Sequence, residues 1–204
     1  NERILQEAEK KNIPLLERLS FLGIYSNNLD EFFRVRIATL NRIVEYSDKN
    51  DKKERDKTLR TLKQINKLNS RFSQQFENTV KEVTDTLKTE NILLLNEKEI
   101  DEEQQNYIRS FYLDKLNGSI SPIWFNSIKQ FGDQADDAIY LAVRLSKWEE
   151  NQKCPKRNYA LIEIPVNEFG RFIRLPDKER KSYLMYLDDV VRCCLPYIFT
   201  GMDY

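Results

Sequence analysis

Histidine is absent from this 204-residue chain, and glycine, proline and cysteine are scarce, with 5, 6 and 3 copies respectively. Without histidine, the chain lacks the commonest general base, the commonest metal ligand and the residue that forms phosphoramidate intermediates. Few glycines and prolines beside 40% hydrophobic residues are typical of a folded, largely helical protein. The cysteines, Cys154, Cys193 and Cys194, form no CxxC pair, which argues against zinc binding and fits a reducing cytoplasm.

Charge and hydrophobicity exclude further classes of protein. The 33 basic and 33 acidic residues cancel to a net charge of zero, so the chain as a whole does not resemble a nucleic-acid-binding protein. No apolar run approaches the roughly 20 residues that span a bilayer, and no signal-peptide pattern opens the chain. We predict a cytoplasmic protein without a transmembrane segment; peripheral association with a membrane stays open. Because the sequence lacks an initial methionine and stops in mid-pattern at "FTGMDY", we expect a piece of a longer protein.

Apolar residues recur at helical spacing through residues 1–90. We predict one helix to about Lys11 and a second from Pro14, since proline is tolerated in a first turn. Residues 47–57 are almost entirely charged or polar and predict a solvated turn before a long helix from about Thr58 to Glu90. So long a helix must pack lengthwise against the earlier ones. This half is therefore predicted to be an antiparallel helical bundle.

The stretch "GIYSNNLDEFFRVR", residues 23–36, interrupts the second helical pattern with short polar side chains. Asn28 precedes Glu31 by three residues, which is the spacing of a capping box with asparagine in place of serine or threonine. One structural explanation is therefore a helix break with a cap. Asn27 and Asn28 are more than a cap needs, and each amide offers a donor and an acceptor that suit the edge of a nucleobase. The sequence of this stretch alone does not decide between a helix cap and a ligand contact for the asparagine pair.

The second half has a different pattern, and we place a domain boundary near residue 91. A short β-like run and a polar turn (92–100) precede a helix at 101–116. Four further runs resemble strands, namely 138–146, 158–166, 171–176 and 182–187. The first two of these fit an antiparallel pair. A last helix, 188–199, is expected to bury Val190, Val191 and Cys194. The predicted fold class is α+β, with a helical domain over 1–90 and an α+β domain with an antiparallel sheet over 91–204, whose sheet is expected to be unfinished at residue 204.

No phosphate loop, GxGxxG fingerprint, HExxH pair or nucleophile elbow occurs in the chain, so we predict no catalytic residue and no metal ligand within it. Arg34 and Arg36 are either phosphate contacts or, for Arg34, the partner of Asp30 in an i,i+4 ion pair. Asp188–Asp189 either binds a metal or fills the first turn of a helix. The aromatic residues at helical spacing, Tyr25, Phe32 and Phe33, either stack on a base or belong to the core.

The opening 40 residues, from "NERILQEAEK" through "FLGIYSNNLDEFF" to "RVRIATL", closely resemble the start of the long bacterial polyphosphate kinases. The similarity continues more loosely through "ILLLNEKEI", "YALIEIP", "RFIRLP" and "LDDVVRCCLPYIF", so it covers most of the chain. The resemblance implies the first of four domains, which is helical, and much of the second, an α+β head associated with homodimerisation. In this family, a histidine in the C-terminal domains is phosphorylated by ATP, with Mg²⁺ nearby, and extends polyphosphate.

The resemblance also implies a site. The family's adenine-binding asparagine falls on Asn28, and Asn27, Phe21, Tyr25 and Asp30 are expected to line the nucleotide site because they are close to it. The implied partners are ATP, ADP, polyphosphate and a second copy of the protein, with no nucleic acid. The chain alone is expected to be inactive and to bind ATP weakly. The alternative is a purely structural module for dimer assembly that contacts no ligand.

Overall fold

The computed structural model describes residues 1–47, 52–127, 138–147 and 156–200. The chain divides into two compact units, Asn1–Glu90 and Asn91–Tyr204. Among the described helices, none is both long enough and apolar enough to cross a membrane.

The first unit contains helices and no strand in its described part. A π-helical segment, Phe32–Ile37, joins the second and third helices into one continuous rod. The α-helices are α1 (Glu2–Glu9), α2 (Leu15–Glu31), α3 (Ala38–Tyr46) and α4 (Lys52–Thr89). The predicted helical bundle is thereby confirmed, with α4 packing against α1, α2 and α3.

The predicted helix break at the asparagine pair was wrong. Helix α2 runs through Asn27 and Asn28, and the Asn28 carbonyl accepts a hydrogen bond from the Phe32 N–H, as in a helix interior. No side chain caps the start of the π-helical segment that follows. Leu22 and Tyr25, both buried, hold this part of the rod against the core, and that packing outweighs the turn-favouring side chains beside it.

Helix α4 also begins earlier than predicted, at Lys52 rather than Thr58. The charged residues at 52–57 are mostly lysine, arginine and glutamate, which are good helix formers, so the solvated turn is shorter than the polar composition indicates. Residues 48–51 of that turn lie outside the described part of the chain.

The core of the first unit is held by apolar packing and one buried arginine. Leu5, Ala8, Leu22, Tyr25 and Val83 form the buried cluster, and the Tyr25 ring stacks on Phe76 with centroids 5.2 Å apart. Arg18 is only 3% exposed; its Nε donates to the Ala8 carbonyl over 2.6 Å, and its guanidinium reaches Glu82 over 3.2 Å. This one side chain therefore connects α1, α2 and α4.

The second unit contains two three-stranded sheets in its described part. The strands are β1 (Ile92–Leu95), β2 (Ile123–Trp124), β3 (Ile139–Lys147), β4 (Lys156–Ile164), β5 (Phe172–Lys178) and β6 (Lys181–Tyr186). One sheet, in the order β2-β4-β3, is antiparallel, and its β3–β4 ladder from Ile139↔Ile164 to Lys147↔Lys156 confirms the predicted pair. The other, in the order β1-β6-β5, is mixed, because β1 runs parallel to β6 while β5 is antiparallel to it.

The helices of the second unit are α5 (Glu102–Phe111), α6 (Val166–Phe169), α7 (Leu187–Cys193) and α8 (Leu195–Ile198), and a π-helical turn, Tyr112–Leu116, extends α5. Asp101 and Gln104 form a reciprocal capping box at the start of α5. The predicted last helix is split at Cys194, because Pro196 has no N–H to continue the ladder. Val190, Val191 and Cys194 are buried as predicted.

Candidate functional site

A cavity of about 670 Å³, which we call the α2–α4 cavity, opens in the described part of the first unit. It lies where the start of α1, the end of α2, the π-helical segment and the middle of α4 meet. Its lining residues are Asn1, Glu2, Tyr25, Asn28, Leu29, Glu31, Phe32, Phe33, Val35, Arg36, Ile65, Leu68, Asn69 and Phe72. A volume of this size falls within the range of ordinary small-molecule sites.

Helical spacing explains how one helix supplies so much of the wall. Tyr25, Asn28 and Phe32 follow one another at three and four residues, so their side chains lie on one face of the rod. The π-helical segment has wider turns, marked by the Ala38 N–H donating to the Phe33 carbonyl five residues earlier. Four of its six residues reach the cavity, including both phenylalanines, whose rings meet edge to face at 5.9 Å.

The polar groups in this wall are few and differ in exposure. Asn28 is exposed, so its amide is free to meet a ligand. Across the cavity on α4, the Oδ1 atom of Asn69 is buried and has no hydrogen-bond partner among the described residues. Glu31 and Arg36 are exposed charges at the rim. Burial raises the pKa of the Tyr25 hydroxyl, so it stays neutral and serves as wall, not as a base.

Two of the five predicted site residues line the cavity, namely Asn28 and Tyr25. Phe21 packs at the edge of the buried cluster, and Asn27 is exposed outside the cavity wall. Asp30 is also outside the wall, and it accepts a hydrogen bond of 3.1 Å from Arg34, which confirms the ion-pair interpretation of that arginine.

Sequence reasoning missed Asn69 as a site residue. It occupies a position of the apolar series along α4, between Ile65 and Phe72. An amide within an apolar stripe is a signal that could have identified it, because buried polar groups require partners.

The described residues contain no group of three or more cysteine, aspartate or glutamate side chains placed to hold a metal ion. Both carboxylates of the alternative metal site are engaged by arginine, with Asp188 2.7 Å from Arg171 and Asp189 2.9 Å from Arg192. The first turn of α7 is therefore the better explanation of this acidic pair.

Comparison with known proteins shows which family the chain resembles. Residues 1–95 match the family described as the polyphosphate kinase N-terminal domain, and residues 103–204 match the polyphosphate kinase middle domain. The polyphosphate kinase of Escherichia coli K12 is 37% identical over 210 residues, and that of Vibrio parahaemolyticus is 35% identical; both alignments cover 100% of this chain. The crystal structure of polyphosphate kinase from Porphyromonas gingivalis matches 99% of the chain with a TM-score of 0.83 and 25% identity.

In each of these comparisons, the chain spans 29% of the length of the relative. The two family matches follow one another in the order of the two compact units and together cover nearly all of the chain. The chain belongs to the polyphosphate kinase family.

Proposed function

We propose that this chain is the N-terminal part of an enzyme that reversibly transfers the terminal phosphate of ATP to a growing polyphosphate chain. Family membership supports this activity, and the chain's own share of it is to hold the adenine base. Because the chain contains no histidine, a phosphohistidine intermediate would form in another part of the protein. We expect Mg²⁺ to bind the phosphates of ATP, and we propose no metal-ligating residue for it within this chain.

The observation that carries the adenine assignment is the position of Asn28 in the wall of the α2–α4 cavity. An asparagine amide can bind adenine in a bidentate manner, because it offers one acceptor and two donors to the base edge. Phe33 and Phe72 supply aromatic surface in the same cavity, and stacking on such surface stabilises a bound base. Arg36 at the rim carries a charge of the sign that phosphates need.

The adenine contact acts by positioning. Phosphoryl transfer depends on placing the donor and acceptor in line and on stabilising charge. A base held in the α2–α4 cavity fixes one end of the nucleotide, while groups elsewhere in the protein act on the phosphates. One amide and a few apolar contacts give little affinity by themselves. Even millimolar binding requires about −4 kcal/mol, so we expect the chain alone to bind ATP weakly.

The test is Asn28→Ala in the intact protein, assayed for polyphosphate formation over a range of ATP concentrations. We expect KM for ATP to rise several-fold while kcat holds, since uniform binding of the nucleotide is lost. Asn66→Ala is the matched control, because Asn66 is an exposed asparagine of α4 that does not line the cavity. An unchanged KM for ATP in Asn28→Ala would contradict the adenine assignment.

The second candidate role is homodimer assembly through the second unit. Exposed aromatic residues on β2, on β4 and in the turn after β2 favour it: Trp124 is 38% exposed and Tyr159 46%, and Tyr159 meets the exposed Phe125 with ring centroids 6.3 Å apart. Exposed aromatic clusters of this kind are common at protein interfaces. The KM assay on the Asn28 and Asn66 variants separates the two roles, because a purely structural role predicts that Asn28→Ala leaves KM for ATP unchanged. Light scattering on the same variants shows whether they have kept the oligomeric state of the wild type.

A further inference from the structure

Helix α4 carries a row of basic side chains on its outer face, which we call the α4 basic stripe: Lys53, Lys57, Arg60, Lys67 and Arg71. Their spacings of four, three, seven and four residues place all five within a sector of about 80° at 100° per residue. All five are exposed, and Gln64 fills the gap in the row without adding an acid. From Lys53 to Arg71 the stripe rises about 27 Å.

The stripe concentrates one sign of charge in a protein that has none overall. Residues 52–71 hold eight basic and two acidic residues, whereas residues 72–89 of the same helix hold two basic and three acidic ones. The whole chain balances 33 basic against 33 acidic residues. An ordinary solvated helix face mixes both signs, so this segregation indicates a surface suited to an anionic partner.

Neighbouring acids leave much of this charge uncompensated. In the part of the chain that the structure describes, no ion pair includes Lys57, Arg60 or Lys67. Other exposed cations of the same unit are paired, such as Lys10 with Glu7 and Lys88 with Asp85. The middle of the stripe is therefore where an added anion would gain most.

The stripe is available to a long ligand because α4 packs through a different face. Thr58, Ile65, Phe72 and Val83 are buried or half-buried on the side of α4 that packs on the other helices, and they lie about 100–140° around α4 from the centre of the stripe. Beside its first part lies a depression of about 620 Å³ between α3 and α4, where Lys57 and Arg60 meet the hydroxyl-bearing Thr58 and Thr61. Glu54 is the one acid in that wall.

We propose that the α4 basic stripe binds inorganic polyphosphate along its length, as a surface separate from the α2–α4 cavity; this rests on the proposed function. The ligand is a linear anion with a charge on every phosphate, and an extended row of cations matches it better than a compact pocket does. Lysine is a hydrated point charge that imposes no fixed geometry. A chain held this way can slide as it lengthens and stays concentrated near the enzyme between additions.

The experiment uses the intact protein with the triple change Lys57→Gln, Arg60→Gln and Lys67→Gln. Its matched control removes three exposed charges elsewhere, by Lys81→Gln, Lys98→Gln and Lys156→Gln. The probe is end-labelled long-chain polyphosphate, whose Kd is measured by fluorescence anisotropy at several salt concentrations. We expect Kd to rise roughly tenfold in the triple variant, with a shallower salt dependence, because three phosphate contacts are lost. In the control, Kd is expected to stay within about twofold of the wild type.

Chain length and charge identity make the result specific. Tripolyphosphate is too short to span the stripe and meets only part of it, so its Kd should rise less in the triple variant than the Kd of long-chain polyphosphate does. Lys57→Arg with Lys67→Arg keeps the charge and should keep the wild-type Kd. Equal effects of the triple variant and the control on long-chain binding would overturn the proposal, as would single-stranded RNA displacing polyphosphate from the stripe at equal phosphate concentration.

The same preparations separate this inference from the function on which it rests. Synthesis of ATP from ADP and polyphosphate by the wild-type protein tests the function directly. If the wild type is active and the triple variant binds long chains like the control, only the stripe proposal fails. If the wild type neither makes nor consumes polyphosphate, the proposed function fails, whatever the stripe binds.

Discussion

Replacing Arg18 by methionine is expected to destabilise the first unit by about 2–3 kcal/mol. The side chain is 3% exposed, and its Nε donates to the Ala8 carbonyl near the end of α1, where the helix itself supplies no donor. Methionine retains much of the apolar stem but leaves that buried carbonyl without a partner, and this desolvation is the main cost. The lost contact with Glu82 adds little, since that carboxylate is 44% exposed and regains water.

The matched control is Arg34→Met, which also removes a guanidinium with a carboxylate partner from the same rod. Arg34 is 55% exposed and pairs with Asp30 at 70% exposure, so its removal is expected to cost no more than about 0.5 kcal/mol. The comparison thus separates the effect of burial on stability from the effect of losing an ion pair.

The assay is urea unfolding of the 204-residue chain followed by two signals. Both tryptophans, Trp124 and Trp148, belong to the second unit by sequence, whereas the first unit is helical and contributes strongly to far-UV circular dichroism. We expect Arg18→Met to shift the dichroism transition and leave the tryptophan transition in place. If it shifts the dichroism transition no further than Arg34→Met does, the assignment of Arg18 as a buried tie between helices is wrong.

Two further predictions concern the second unit. A hydrogen bond from Lys178, and a second from the Gln104 N–H, hold the pKa of Asp101 below its usual value. The ionised Asp101 carboxylate therefore stabilises the fold above its unfolded-state pKa, and this stabilisation is lost as pH falls through the lower folded-state pKa. We expect the pH dependence of the tryptophan unfolding transition, followed down to about pH 2, to be weaker in Asp101→Asn. Burial raises the pKa of Cys193 to about 11 and that of Cys194 to about 12. In a Cys154→Ser background, we expect both thiols to react slowly with a disulfide reagent until urea unfolds the chain; fast reaction of the native protein would contradict this.

The sequence predicted those features that depend on local periodicity. The apolar spacing of residues 15–46 and along α4 predicted the helical bundle, and the β-branched runs predicted β3 and β4 as an antiparallel pair. The parallel pairing of β1 with β6 escaped prediction, because the two strands are about 90 residues apart and nothing local specifies the partner.

The candidate site was predictable only in part. Asn28 was predicted as a site residue and lines the α2–α4 cavity. The accompanying helix break was not observed, because the packing of Leu22 and Tyr25 determines the backbone there more strongly than asparagine propensity. Asn69 reaches the same cavity from α4, and only tertiary packing brings the two asparagines to one cavity. A sequence pattern orders residues along a helix but does not say which helices face one another.

The π-helical segment at residues 32–37 has a consequence for how this chain tolerates insertions and deletions. In a regular α-helix an added residue turns everything after it by about 100°, whereas a π-turn takes up one extra residue in a wider turn and leaves the following helix in phase. Deleting a residue such as Val35 is therefore expected to restore regular hydrogen bonding in the rod while α3 keeps the face that contacts α4. The same deletion would change the wall of the α2–α4 cavity, because four of the six π-helical residues line it. The irregularity therefore matters more to the shape of the cavity than to the packing of α3.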